Sequence, residues 1–389
     1  MNAISQTPLA LAASVAAANA DSVDKEGVFP HVAFETLKYH KLLTTWIPRQ
    51  YGGESASMSD IASMCFTLGQ NCSSTGLIFA MHQIEVAMLL NPTTPWHEEL
   101  LYRVVEQQML LASVTSEEGI GGSVRTSACA VEIDPENNGI FALSKKAPAI
   151  SYGQYADGLL VTARTNSDAA ASDQVLITIL KDQYVLKQVS TWDTMGMRGT
   201  CSHGFELEAK AGVEQISPLP FGEIAETIML PVSHLLWSST WLGIATDALQ
   251  RARTFLRINA RKHAGSGTPP SALRLADAQS TLQVLHSRIK ALLCSYEQIM
   301  QHRVKGEQMP LKFITEMNSL KVTASEMALH VVDQALMICG MVGYKHGTPY
   351  TLSRHLRDIH SSRLMVSNDR ILSNTAGFLL AQRSPLVVF

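Results

Sequence analysis

The chain has 389 residues, 46% of them hydrophobic and 17% charged, with a formal net charge of −3. That length exceeds a single core and predicts two or three domains. The near-neutral balance excludes the basic stripe of a nucleic-acid binder, and no apolar run reaches the roughly 18 to 20 residues that span a bilayer.

The first predicted element is "PLALAASVAAANADS", residues 8–22. Its Ala-Asn-Ala imitates a cleavage site, but no Lys or Arg precedes it. It reads as an Ala-rich helix rather than a secretory leader. Residues 57–90 step apolar positions by three and four, with a break at Asn71-Cys72-Ser73-Ser74, and predict two helices. A helical domain therefore covers 1–111. From 112 to 214 the pattern changes to short β-branched or alternating runs such as "GIFALSKK", "GLLVTART", "QVLITILK" and "HGFELEA", separated by turn clusters. Strands so close together, with no helices between them, predict an antiparallel sandwich or barrel. From 215 to 389 the pattern is helical again. "SHLLWSSTWLGIATDALQRARTFLRINARKHA" (233–264) has no Pro and one Gly. Two more long segments follow, and a last one begins near Leu352, which predicts a four-helix bundle. The fold class is α+β. Faces this apolar predict contacts between subunits, in a homodimer or homotetramer. The cysteines at 65, 72, 129, 201, 294 and 339 form no C-x-x-C pair and several sit in apolar runs. They predict reduced, buried thiols in a cytoplasmic protein, with neither disulfides nor a metal site.

Five strings carry a family resemblance: "WIPRQYGGESASMSDIA" (46–62), "VTSEEGIGGS" (114–123), "KKAPAISYGQYADGLLVTAR" (145–164), "WDTMGMRGTCSHGFELE" (192–208) and "CGMVGYKHGTPYTLSRHLRD" (339–358). In this order, over nearly the whole chain, they resemble the acyl-CoA dehydrogenase superfamily of flavoproteins. The resemblance implies helices, a β domain and a four-helix bundle around a flavin, with FAD expected over FMN. It implies that Val114 and Thr115 meet the pyrimidine edge of the ring. Ser123 meets the pyrophosphate or ribityl side or the thioester region, Ile150 and Ser151 flank the ring and phosphate, and Gly340 belongs to the late glycine turn. Arg261 in "INARKHAGSGTPP" stands where the family's Arg reaches the pyrophosphate across a subunit interface, a task that suits a forked guanidinium. This chain departs from the family at Ser116-Glu117, Ala149, His263-Ala264 and Met337. Arg198 reads as a pin for its turn and Asp157 as a turn residue closing a strand.

The resemblance also implies a carboxylate base for α-proton abstraction, placed two residues before the proline of the late loop or at the start of the first bundle helix. Those positions hold Gly347 (or Pro349) and Ser233-His234. Three functions stay open. One is an FAD-dependent oxidoreductase acting on the CH–CH group of an acyl thioester, with a base drawn from Glu117, Glu118, His346 or His234. The second is a reductase-coupled flavin monooxygenase of the same fold, with His82 and His360 near the flavin and a flavin reductase as partner. The third is a non-catalytic flavin- or acyl-binding protein. The ligand is an acyl thioester or another small hydrophobic molecule.

Overall fold

The computed structural model describes residues 7–262, 271–304 and 306–381, and the side chains of all of these except 260–262. Its first helix, α1 (Pro8–Glu26), starts on the Thr7 hydroxyl, which accepts from the Ala10 N–H at 3.3 Å. It stops at Gly27, whose φ of +64° favours glycine. The stripe Ala12, Ala13, Ala16, Ala20 and Val23 is buried against α2 (His31–Tyr39) and α3 (Met58–Asn71). A capping box of Ser57 and Asp60 opens α3. The predicted break at 71–74 is real: α4 (Ser73–Leu89) follows from an extended Cys72. Every residue of α4 except Met81 is buried, so it is the central helix of this layer. α5 (Pro95–Gln107) completes the helical part.

Eight strands follow: β1 (Leu111–Val114), β2 (Glu132–Asp134), β3 (Asn137–Ala147), β4 (Gly158–Arg164), β5 (Gln174–Leu180), β6 (Tyr184–Ser190), β7 (Gly204–Gly212) and β8 (Ile216–Pro220). They form two four-stranded sheets, ordered β1-β4-β5-β8 and β2-β3-β7-β6. The expectation of purely antiparallel pairing needs one correction: β1 and β4 run parallel, with Leu111 opposite Gly158 and Val114 opposite Val161. The chain between them lays β2 and β3 into the other sheet before it returns, which is the crossover a parallel pair requires.

The last part holds α6 (Phe221–Ile224), a π-helical turn (Ala225–Met229), α7 (Leu230–Lys262), α8 (Ser271–His302), α9 (Leu311–Cys339), α10 (Met341–Tyr344), α11 (Ser353–Leu364) and α12 (Asn368–Ala381). The long helix α7 packs on α3, α8 and α9, and Trp241 at its middle is fully buried. Phe221–Asn259 is long and apolar enough to cross a membrane by length and composition, but 89% of its most apolar window is buried inside the fold, as in a core helix. The single fourth helix expected from Leu352 is instead two, α11 and α12, because the chain turns at Val366 with φ +50°. All six cysteines are free. Five are buried, and Cys294 is exposed because its apolar run on α8 turns that position outward.

Candidate functional site

Two strips of backbone are zipped together at the end of β1. The first is the β1 exit, where Val114 is fully buried and Thr115 half-buried. The Ser116 hydroxyl donates to the Ala149 carbonyl at 2.5 Å, tying the exit to the second strip, 149–152. There the Ile150 N–H donates to the His203 carbonyl at 2.9 Å, and the Tyr152 N–H to the Thr200 carbonyl at 2.8 Å. The hydroxyls of Ser151, Ser202 and Thr200 form a chain with 2.8 Å links, ending on the Met197 carbonyl at 2.9 Å. Val114, Thr115, Ile150 and Ser151, predicted from distant strings, therefore share one hydrogen-bonded corner. Ser123 closes the adjoining glycine turn, its N–H donating to the Ile120 carbonyl at 3.1 Å. In that turn Gly119, Gly121 and Gly122 all have positive φ. Nothing lies within 4 Å of where a Cβ would stand on Gly119 or Gly121.

The turn is held from the helical side. Arg370 of α12 donates to the carbonyls of Gly121 and Gly122. Just before it, at the α11–α12 corner, the Val366 carbonyl and the Asn368 side chain accept from Lys321 of α9 at 2.6 and 2.8 Å. Lys321 is fully buried, and its ammonium stands 5.8 Å from the centre of the Trp241 ring. Burial pulls it down to about 8. One face of α7 carries His234, Trp237, Ser238 and Trp241, a helical i, i+3, i+4, i+7 set. His234 Nε2, Trp237 Nε1, Ser238 Oγ and Trp241 Nε1 are all buried without a partner. His234 donates from Nδ1 to the Met317 carbonyl at 3.1 Å, so Nε2 keeps its lone pair. Burial lowers its pKa to about 4. Buried polar atoms are normally satisfied, and these four stand out as unpartnered. An open glycine turn, a row of hydroxyls and the apolar Ile150 fit a flat heterocycle with a phosphate, which is what a flavin offers.

The other expected site residues divide clearly. Glu117 is not available as a base. Its carboxylate accepts from the Ser127 hydroxyl at 2.7 Å and from the N–H groups of Ala128 and Cys129 at 3.1 and 2.6 Å. The Lys145 ammonium stands 3.5 Å away, itself fully buried and donating to Thr162. Glu118 is exposed. His82 spends both nitrogens on backbone: Nδ1 accepts from the Leu111 N–H at 3.1 Å and Nε2 donates to the Leu43 carbonyl at 3.0 Å. Burial lowers it to about 4. His360 is half-buried on α11. Ser233 is a buried helix residue whose hydroxyl turns back to the Met229 carbonyl. His346 and Gly347 lie in a cleft of about 550 Å³ with Asp21, Asp24, Arg198, Arg354 and Arg357, apart from the glycine turn. Gly340, with φ +56°, caps α9 and joins none of the strip residues among the described contacts. Met337 is exposed. Arg261 falls in the last turn of α7, and its side chain, with His263 and Ala264, lies outside the described residues.

Arg198 does pin its turn, donating to the Asp24 and Thr194 carbonyls and pairing with Asp193. Asp157 accepts from the Leu110 N–H and pairs with Lys38. Arg357 and Asp358, adjacent in sequence, do not pair with each other: Arg357 pairs with Asp24 of α1, while Asp358 accepts from the Met197 N–H at 2.6 Å. Residues that sequence reasoning missed are Lys321, Arg370 and Glu85. Of these only Glu85 left a signal, a lone acid in a helix apolar on every side.

The N-terminal domain model of the acyl-CoA dehydrogenases matches residues 2–130, and the C-terminal domain model matches 228–375. L-evernosamine nitrososynthase from a Micromonospora species is 26% identical over 357 residues, covering 90% of this chain and 82% of that one. A probable acyl-CoA dehydrogenase of Bacillus subtilis is 25% identical over 363 residues, covering 88% and 87%. FMN-bound TdsC, a dibenzothiophene monooxygenase of Paenibacillus sp. A11-2, has the same fold, with a TM-score of 0.84 at 19% identity and 98% of each chain covered. The zipped strips, the glycine turn and the bundle behind them are thus parts of a known architecture, and this chain belongs to the acyl-CoA dehydrogenase superfamily.

Proposed function

We propose that this protein is the oxygenase component of a reductase-coupled flavin monooxygenase. It takes reduced FMN from a separate flavin reductase and oxidises a nitrogen or sulfur atom of a small substrate, working as a homodimer or homotetramer. The observation that carries this reading is the state of Glu117. It is the one carboxylate buried in the glycine turn, and its oxygens are engaged by three donors beside the Lys145 ammonium. An α-proton abstraction needs a carboxylate free to take a proton, whereas activation of dioxygen by reduced flavin does not. Similarity to a nitrososynthase and likeness in fold to an FMN-bound monooxygenase support the same choice. Dehydrogenation of an acyl thioester, with FAD, becomes the second reading.

In this proposal bound reduced flavin supplies the activation of dioxygen. Thr115, Ser123 and Ser151 hold its polar edge and phosphate, while Val114 and Ile150 keep water from its ring. The open Nε2 of His234 accepts a hydrogen bond from the substrate, and Lys321 fixes the corner that Arg370 ties to the turn. The test uses the purified protein with FMN, NADH, a flavin reductase and oxygen. Incorporation of labelled oxygen into a primary amine or a thioether supports the reading. Anaerobic bleaching of bound oxidised flavin by an acyl-CoA, without any reductase, sinks it.

A further inference from the structure

A cavity of about 320 Å³ opens between the end of α4, β5, β8, the π-helical turn and the end of α8. None of Val114, Thr115, Ser123, Ile150, Ser151 and Arg370 lines it. Its Thr178 stands in register with Leu160, and Leu160 with Ser113, so it lies two strands from β1, roughly 10 Å across the same sheet. Leu89, Leu176, Ile224 and Met300 give it an apolar lining. Ligand pockets are mostly apolar, with a few polar groups that converge, and short π-helical stretches recur at functional sites.

The polar groups on its wall divide into those already bonded and those left open. The Thr227 hydroxyl donates to the Glu223 carbonyl at 2.7 Å, and the Ser217 hydroxyl accepts from the Leu219 N–H at 3.3 Å. His97, 7% exposed, also lines the cavity. The Thr94 hydroxyl accepts from the His97 backbone N–H and stands 2.7 Å from its Nδ1. The single proton of that hydroxyl has no other described acceptor, so Thr94 donates to Nδ1 and the ring N–H stands on Nε2. Burial lowers the His97 pKa, which keeps the ring neutral. Among the described residues nothing accepts from Nε2, and nothing bonds the hydroxyl of Thr178, which is 2% exposed. Neither atom is sealed inside packed protein, so the open space each one meets is this cavity. Arg303 is tied down by the Glu307 carbonyl at 2.9 Å and the Glu223 carboxylate at 3.4 Å.

We propose that this cavity is a second ligand site, for a small apolar molecule with a neutral oxygen acceptor such as a ketone, whose oxygen is held by His97 Nε2–H and the Thr178 hydroxyl. A carbonyl oxygen has two lone pairs and takes both donors. Arg303 and Glu223 offset each other on the same wall, so it offers an unpaired partner neither to an anion nor to a cation. The site stands whichever flavin reaction the protein performs, because no residue of the flavin corner belongs to it.

The probes are 2-acetylnaphthalene, its hydrocarbon isostere 2-isopropylnaphthalene and the anion 2-naphthoate, measured by equilibrium dialysis against the full-length protein with and without excess FMN. The ketone is expected to bind about fivefold more tightly than the hydrocarbon, or better, since it gains two hydrogen bonds. It is expected to bind more tightly than the anion as well, and to be unaffected by FMN. His97→Phe and Thr178→Val keep the shape of the wall and remove one donor each. Each variant lowers the preference, and the double variant brings the two neutral ligands within about twofold of each other. Unchanged hydrocarbon binding and circular dichroism show that these variants are folded with the cavity intact. Leu219→Trp, which fills the cavity, removes binding of both. No preference for the ketone in the wild type, a preference that survives in the double variant, or tighter binding of 2-naphthoate overturns the proposal. So does displacement of the ketone by FMN, or ketone binding undiminished in Leu219→Trp.

Discussion

Replacing Glu117 by Gln separates a structural anchor from a catalytic base. The substituted amide would keep one acceptor oxygen for three donors, and its NH2 group would face either Lys145 or a backbone N–H. Lys145, fully buried, would retain only Thr162 and lose its counterion. Removing one partner of a buried pair costs about 3 to 5 kcal/mol, because the other charge is left uncompensated. Urea unfolding of Glu117→Gln should therefore show a stability loss of about that size. Lys145→Met should cost less, since the carboxylate keeps its three donors. The double variant should recover roughly 1 to 3 kcal/mol relative to additivity. Turnover per folded molecule should fall less than tenfold in Glu117→Gln. If that variant unfolds within about 1 kcal/mol of the wild type and loses turnover completely, Glu117 is a base after all and the dehydrogenase reading returns.

Three further outcomes follow from the same set of contacts. His82→Ala strips partners from the Leu111 N–H and the Leu43 carbonyl, although Gln83 still serves the latter. It should lower stability by about 2 to 4 kcal/mol in a denaturant titration, and a neutral result would undo the structural role assigned to it. The folded Glu85 carboxyl titrates at about 8, above its unfolded value of 4.5. The stability it contributes is full below 4.5 and is lost as pH rises toward 8. Unfolding free energies of Glu85→Gln relative to wild type should shift by roughly 3 to 4 kcal/mol in the variant's favour between pH 5 and 8, and a flat difference refutes the burial argument. Arg370→Ala frees the glycine turn from α12; FMN affinity, followed by quenching of flavin fluorescence, should weaken at least tenfold, and unchanged affinity would detach this turn from the flavin.

The interior strands were legible in the sequence, and so were the runs "LLASVTS" and "ACAVEID", which fall on the edge strands β1 and β2. β4 and β5 are buried on both faces and read as unbroken β-branched runs. β6 and β8 were not legible for a physical reason. Both are edge strands; β6 is mostly exposed, Val185 and Val189 included, so its apolar residues mark no buried face, and β8 contains Pro218 and Pro220, which only an edge tolerates. The site shows the same division. Val114, Thr115, Ile150 and Ser151 lie in strings with local signatures, and they meet. Arg357 and Asp358 show why a pairing cannot be read from adjacency: neighbours in sequence on a helix point to different sides, so each finds its partner elsewhere in the fold, Asp24 for one and the Met197 N–H for the other. Arg370 and Lys321 act on backbone carbonyls, and a carbonyl leaves no mark in the sequence.

The late loop "CGMVGYKHGTPY" looks in sequence like a device for presenting a reactive group, and its glycines and proline do shape a sharp turn. In space it serves α1. His346 and Gly347 face Asp21 and Asp24, and the helix that follows sends Arg354 and Arg357 to those same two acids. What approaches the glycine turn is the next break in the chain, the α11–α12 corner. Lys321 holds it from inside the bundle, and Arg370 reaches from it to Gly121 and Gly122. A corner held at both ends by buried or bidentate donors is a rigid support, and its Val366 carries no ionisable group. Among the described residues, Glu85 on α4 and His234 on α7 each keep one buried polar atom open.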